Sequence, residues 1–199
     1  MSVFAFDEGV RSIIERATGL GFDLPTHIAA GKLQLQQINP AEMSPGEFTS
    51  AVRSAVEHGS RVIVIDSLNG YLHAMSDVRY LALELHELLS FLNQSDVLTI
   101  LVMAQHGMVN NMHAPVDISY LSDAVLLLRF FESRGRICKA ISVVKKRVGA
   151  HEDTIRQFKL SENGLDVGPP LTDFQGIMTG VPTYSGRQPM LAGGNVDDK

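Results

Sequence analysis

Apolar residues fall along this chain in two styles, short unbroken runs and stripes at helical spacing, and their alternation predicts an α/β layer fold. The opening MSVFAFDEG is a short apolar run that stops at two acids and a glycine, which predicts a buried strand leading into a loop. Val10, Ile13, Ile14 and Ala17 follow at helical spacing, with Gly19 as the stop. After a short helix over 25–30, KLQLQQI alternates Leu33 and Leu35 with Gln34 and Gln36, the period of a half-exposed strand. Ser44-Pro45-Gly46-Glu47 reads as a capping box with proline where its missing N–H costs nothing, so a helix is predicted from there to His58, closed by Gly59. RVIVID, residues 61–66, is a β-branched run ending in an acid, the pattern of a parallel strand covered on both faces. Leu81, Leu85, Leu88 and Leu92 then mark a helix before a second buried strand, VLTILVMAQ, and AVLLLRF over 124–130 predicts a third.

Further on, KAISVVKKR, DTIRQFKLS and GLDVG are strand-like runs separated by turn residues, among them Asn163-Gly164, and predict antiparallel additions. The Gly, Pro and Asp-rich end has too little apolar surface to fold, so disorder is expected over 183–199 and one domain over 1–182. A core strand at the first residues, with no polar leader, suggests a chain cut from something longer.

The composition narrows the class. With 199 residues, 45% hydrophobic and 20% charged, collagen-like and wholly disordered chains are excluded. A formal charge of -5 repels rather than gathers nucleic acid or an anionic membrane, so DNA binding would need a local basic patch. No apolar run approaches the roughly 18 residues of a membrane helix. The lone Cys138 excludes an internal disulfide, and with no export signal the chain reads as cytoplasmic.

Candidate chemistry sits at strand ends. In VIVIDS the sheet would deliver Asp66 to its C-terminal edge, where a carboxylate can hold a Mg²⁺-bound water; capping the next helix is the plain alternative. Asp7 and Glu8 follow the first strand at the corresponding edge and suit the orienting or deprotonating of an attacking water, or else form a solvated turn. Lys145, Lys146 and Arg147 precede Val148-Gly149-Ala150-His151 and either meet phosphate oxygens or make a solvated basic turn. Cys138 reads as a core or sheet residue. Zinc is not expected: Leu85-His86-Glu87-Leu88 lacks the second histidine of a zincin helix, and His106 and His113 have no accompanying ligand set. Nowhere does the sequence contain G-x-x-x-x-G-K-S/T, the loop that cradles β and γ phosphates.

Taken together these residues resemble the KaiC family of RecA-type ATPases, over nearly the whole chain ahead of the tail. VFAFDEG resembles the strand with the family's paired catalytic acids, here Asp7 and Glu8 where the clock protein has two glutamates, and VIVIDSLNG resembles its Walker B strand. The most specific stretch is SYLSDAVLLLRFFESRGRICKAISVVKKRVGAHEDTIRQFKLSENGLDVG, residues 119–168. The resemblance implies a RecA-like P-loop NTPase fold of three layers, with a mostly parallel central sheet and C-terminal antiparallel strands. Its P-loop strand and helix precede the acidic pair and are missing from this sequence. That strand would lie between VLTILVMAQ and AVLLLRF, so two open hydrogen-bonding edges are expected.

The resemblance also implies ATP and Mg²⁺ as cofactors and a hexameric ring of copies of the chain. Asp66 would serve the magnesium, Lys145 and Arg147 the γ-phosphate bound by the adjacent subunit, with Lys146 beside them and His151 as a nearby contact. The clock protein phosphorylates adjacent serine and threonine residues, and the matching positions are Ser119 and Tyr120, so only Ser119 is left as a candidate autokinase acceptor. The leading expectation is part of an ATP-hydrolysing signalling protein. A non-catalytic interaction module without its own ATP site is the alternative from another class. A RadA-like recombinase is disfavoured, because residues 106–119 contain no Lys, Arg, Trp, Tyr or Phe to hold single-stranded DNA.

Overall fold

The computed structural model describes residues 1–73, 78–104, 121–178 and 182–184. Two compact units divide the chain, Met1–Gln105 and His106–Lys199. No helix among the described residues is long and apolar enough to cross a membrane.

The first unit alternates strand and helix: β1 (Ser2–Ala5), α1 (Val10–Gly19), α2 (Leu24–Ala29), β2 (Gln34–Gln37), α3 (Pro45–Glu57), β3 (Val62–Asp66), α4 (Leu68–His73), α5 (Val78–Gln94) and β4 (Leu98–Val102). Its sheet runs β2-β1-β3-β4 with every pairing parallel. Helix α3 starts where its capping box places it, Ser44 accepting from the Glu47 N–H and Glu47 reaching back to the Ser44 N–H at 2.7 Å. Helix α1 stops differently from expectation: Gly19 is still helical, and Gly21, at φ 80°, takes the left-handed position.

Strand pairing fixes which face is core. Ser2 lies opposite Ile63 and Phe4 opposite Ile65, and all four are buried. Phe48, Val52, Leu81, Leu85, Leu88 and Leu92 are buried on α3 and α5, and the Phe48 ring meets that of Phe4 edge-on at 5.5 Å. The other face corrects the sequence reading. Val62 and Val64 are only half-buried, and on β4, expected to be a buried strand, Leu98 is 61% exposed and Ile100 44%. Successive side chains of a strand point to opposite faces, so an apolar run is buried throughout only where both faces are covered.

The second unit is antiparallel: β5 (Ala124–Ser133), β6 (Arg136–Lys146), β7 (Arg156–Ser161) and β8 (Gly164–Pro170) form a sheet in that order, and β9 (Phe174–Gln175) pairs with β10 (Thr183–Tyr184). Strand β5, expected as a third buried strand, pairs with β6 alone among the described residues, and its Leu126, Leu128 and Phe130 are exposed. It runs to Ser133 and turns back through Arg134 (φ 50°) and Gly135 (φ 70°), a two-residue turn of the kind that matches strand twist. Phe131, Ala140 and Ile177 form the buried cluster of this unit, with Cys138, Ile155, Leu171 and Phe174 against it. Thr183 and Tyr184 are ordered as β10, the Tyr184 ring 5.1 Å from that of Phe174; residues 185–199 lie outside the described residues.

Candidate functional site

The acids meet because β1 and β3 are parallel neighbours. Ala5 lies opposite Asp66, and the Phe6 N–H donates to the Asp66 carbonyl at 2.6 Å, so Asp7 and Glu8 leave β1 beside the point where Asp66 ends β3. Strand β3 is followed by Ser67, joined to Asp66 by a cis peptide and 4% exposed, whose hydroxyl donates to Asp7 Oδ2. Asp7, Glu8 and Asp66 thus leave adjacent strand ends at the C-terminal edge of a parallel sheet, where α/β folds place their ligands.

Glu8 turns the other way, towards α1. Arg16 donates to its carboxylate through Nη2 at 2.5 Å and Nε at 3.4 Å. That ion pair, with a further hydrogen bond from Ser12, holds the Glu8 carboxyl below the usual carboxylate range. Asp66 goes the opposite way: partial burial raises it, the neighbouring Asp7 and Glu8 charges add to the rise, and Arg16 opposes it.

Two further residues shape this edge. A Cβ on Gly70 would sit 2.4 Å from Phe6 Cβ and 2.9 Å from Asp7 Oδ1, so the backbone of α4 passes against the acidic pair only because position 70 is glycine. Asn69, 5% exposed, accepts from the Ala104 N–H at 2.8 Å and donates to the Ala104 carbonyl at 3.0 Å, tying the end of β4 to the segment after Asp66. Gly70→Ala is expected to cost about 1–3 kcal/mol through overpacking. Denaturant unfolding measures it, and a midpoint equal to wild type would contradict the close approach.

The basic turn belongs to the second unit. Between Val125 and Leu126 the β5–β6 register shifts, Leu126 facing Val143 and Val125 facing Lys145, so Val144 is the extra residue of a β-bulge. Lys145 shares the face of Ser142 and Ala140, and Lys146 the opposite one. Lys146 Nζ donates to the Ala150 carbonyl at 3.1 Å and closes a turn in which Gly149 has φ 79°. Arg147 pairs with Asp123 Oδ1 at 3.0 Å, and its N–H donates to the Asp123 carbonyl at 2.7 Å. His151 is exposed beyond that turn. His106, His113, Ser119 and Tyr120 lie outside the described residues.

Sequence reasoning singled out Asp7, Glu8 and Asp66 as candidates and passed over Arg16, Asn69 and Gly70, which shape the same edge. Ser12 and Arg16, one helical turn apart and directly after an acidic pair, were the legible signal for the first. For Gly70 the signal lay inside VIVIDSLNG, although nothing local showed what would crowd it.

A parallel sheet with acids at its C-terminal edge, followed by an antiparallel unit, defines the class as an α/β chain of RecA-like fold. The family model described as "ATPase: KaiC" matches residues 2–172. The chain belongs to that family. It is 26% identical over 185 residues to the circadian clock protein KaiC3 of Synechocystis sp., covering 92% of this chain and 36% of that protein. It is 24% identical over 183 residues to the circadian clock oscillator protein KaiC of Thermostichus vulcanus, covering 91% and 35%. With KaiC of Synechococcus elongatus it shares 24% identity over 202 residues, again 91% and 35%. The chain thus spans about a third of the length of these relatives.

Proposed function

We propose that this chain supplies the water-orienting and metal-holding side of an ATP-hydrolysing KaiC-type module, within a signalling protein that works as a ring of subunits. The observation that carries the reading is the meeting of Asp7, Glu8 and Asp66 at the ends of two adjacent parallel strands. Glu8 or Asp7 orients the attacking water and takes up its proton. Asp66 would hold Mg²⁺, and the metal when bound would neutralise charge on the phosphates. The donor set fits such an ion. These are hard carboxylate oxygens, and they suit a cation that keeps several waters and takes only one or two carboxylates. Lys145, Lys146, Arg147 and His151 form the cationic side, presented to nucleotide held by a neighbouring subunit. Ser119 stays with this reading as the candidate phosphate acceptor.

Glu8→Gln tests the acidic site, with Mg²⁺-dependent ATP turnover followed in the assembly recovered through a tag on this chain. A loss of about 10²–10⁴-fold is expected. Asp66→Asn should remove turnover while raising the thermal midpoint at neutral pH. A carboxyl whose folded pKa lies above its unfolded value carries a charge that folding penalises at neutral pH, and the neutral amide does not. Unchanged turnover in both variants overturns the reading.

The second reading is an interaction module without its own ATP site. Equal assembly with and without ATP, and no turnover, would select it.

A further inference from the structure

We propose that Arg16 is the positioning residue of the acidic pair, its guanidinium holding the Glu8 carboxylate by both oxygens and aiming it along α1 while Ser67 holds Asp7. The inference rests on the acidic pair acting on water, and it divides labour between two acids that sequence alone leaves equivalent.

Glu8 sits between two fixed pieces of backbone. Before it, Phe6 is bonded to the Asp66 carbonyl; after it, the Ile13 N–H donates to the Gly9 carbonyl at 3.1 Å and starts α1. The Glu8 side chain therefore has a fixed root, and the α1 face that carries Ser12 and Arg16 determines where its carboxylate goes. Two-point binding by Nη2 and Nε removes rotation about the last side-chain bond, which a single hydrogen bond would leave free. The pair is more enclosed than Arg11–Glu15 on the same helix, a single bond at 3.1 Å between side chains 93% and 68% exposed; Arg16 is 59% and Glu8 32% exposed, and two bonds join them.

Arg16 from α1 is the charge bonded to Glu8, and the Glu8 charge in turn reaches Asp66 at the end of β3. Arg16 also acts on Asp66. One guanidinium thus favours the charged form of both Glu8 and Asp66. Asp7, bonded by Ser67 and backed by Gly70, has less freedom to follow a reacting water and shapes the edge instead.

The test compares Arg16→Ala and Arg16→Lys with wild type, each in the full chain. The direct readout is the pH titration of the Glu8 side-chain carboxyl carbon by NMR, which needs no turnover. Its midpoint should move up in Arg16→Ala and return part of the way in Arg16→Lys, which restores charge without the fork. The second readout is ATP turnover in the assembly. A fall of about an order of magnitude or more is expected in Arg16→Ala, with the acid limb of the pH profile moved up and partial rescue by lysine.

An unmoved carboxyl titration overturns the proposal whatever the turnover shows. A moved titration with turnover and pH profile equal to wild type also overturns it, since Arg16 would then hold a carboxylate that does no work. If wild type itself shows no turnover, the function proposed above fails, while a moved titration still upholds Arg16 as the group that holds Glu8.

Discussion

Alanine at both Lys145 and Arg147 is expected to lower Mg²⁺-dependent ATP turnover by about 10³-fold or more, with nucleotide affinity little changed. Cations that meet charge developing on a transferred phosphoryl group act on the transition state far more than on the bound ground state. The variant should still fold. The Arg147–Asp123 pair joins side chains 52% and 64% exposed, and surface pairs of that kind contribute at most about 1 kcal/mol. Within that cationic side the Lys146 ammonium also closes the turn on Ala150, so its alanine variant should lose much less than the Lys145 and Arg147 pair. Mixing decides whether the cations act between subunits. The double variant keeps its acids and Glu8→Gln keeps its cations, so assemblies mixed from the two should regain turnover that neither shows alone. Full turnover in the double variant, or no recovery on mixing, would remove the role across the interface.

Purified 199-residue chain should self-associate, and lysines at Leu128 and Phe130 together should shift it towards smaller species. Leu126, Leu128 and Phe130 lie on one face of β5 and are 62%, 60% and 65% exposed, on a strand that ends its sheet among the described residues. Between Ala124 and Glu132 that face carries no charge. A long apolar strand that ends its sheet among the described residues is the type of surface that joins copies, and lysine is the side chain that most often blunts it. Because the replaced groups are exposed, the thermal midpoint should change little. Sedimentation velocity over a range of concentrations measures the shift. A wild-type chain that stays monomeric throughout would show that the stripe is tolerated.

Much of the first unit was legible because its signals are local. The capping box of α3, the leucine spacing of α5 and the acid ending RVIVID each depend on residues within a turn or a strand of one another, and each element stands where those residues put it. The turn at Arg134-Gly135 was missed because arginine is an unusual residue at positive φ, and only the pairing of β5 with β6 holds it there.

By itself the sequence determined the order of strands and helices, the placing of Asp7, Glu8 and Asp66 at strand ends, and the family. All of these follow from hydrophobic period and motif spacing, which act along the chain. Tertiary structure decided what acts across it. The β1–β3 register brings two strand ends together, α1 carries Arg16 back onto Glu8, and Gly70 is required because α4 passes against Phe6 and Asp7. The bulge at Val144 sets Lys145 and Lys146 on opposite faces from those that simple alternation with Val143 would give. A strand of period two shows which residues share a face, but only its partner fixes where that period slips.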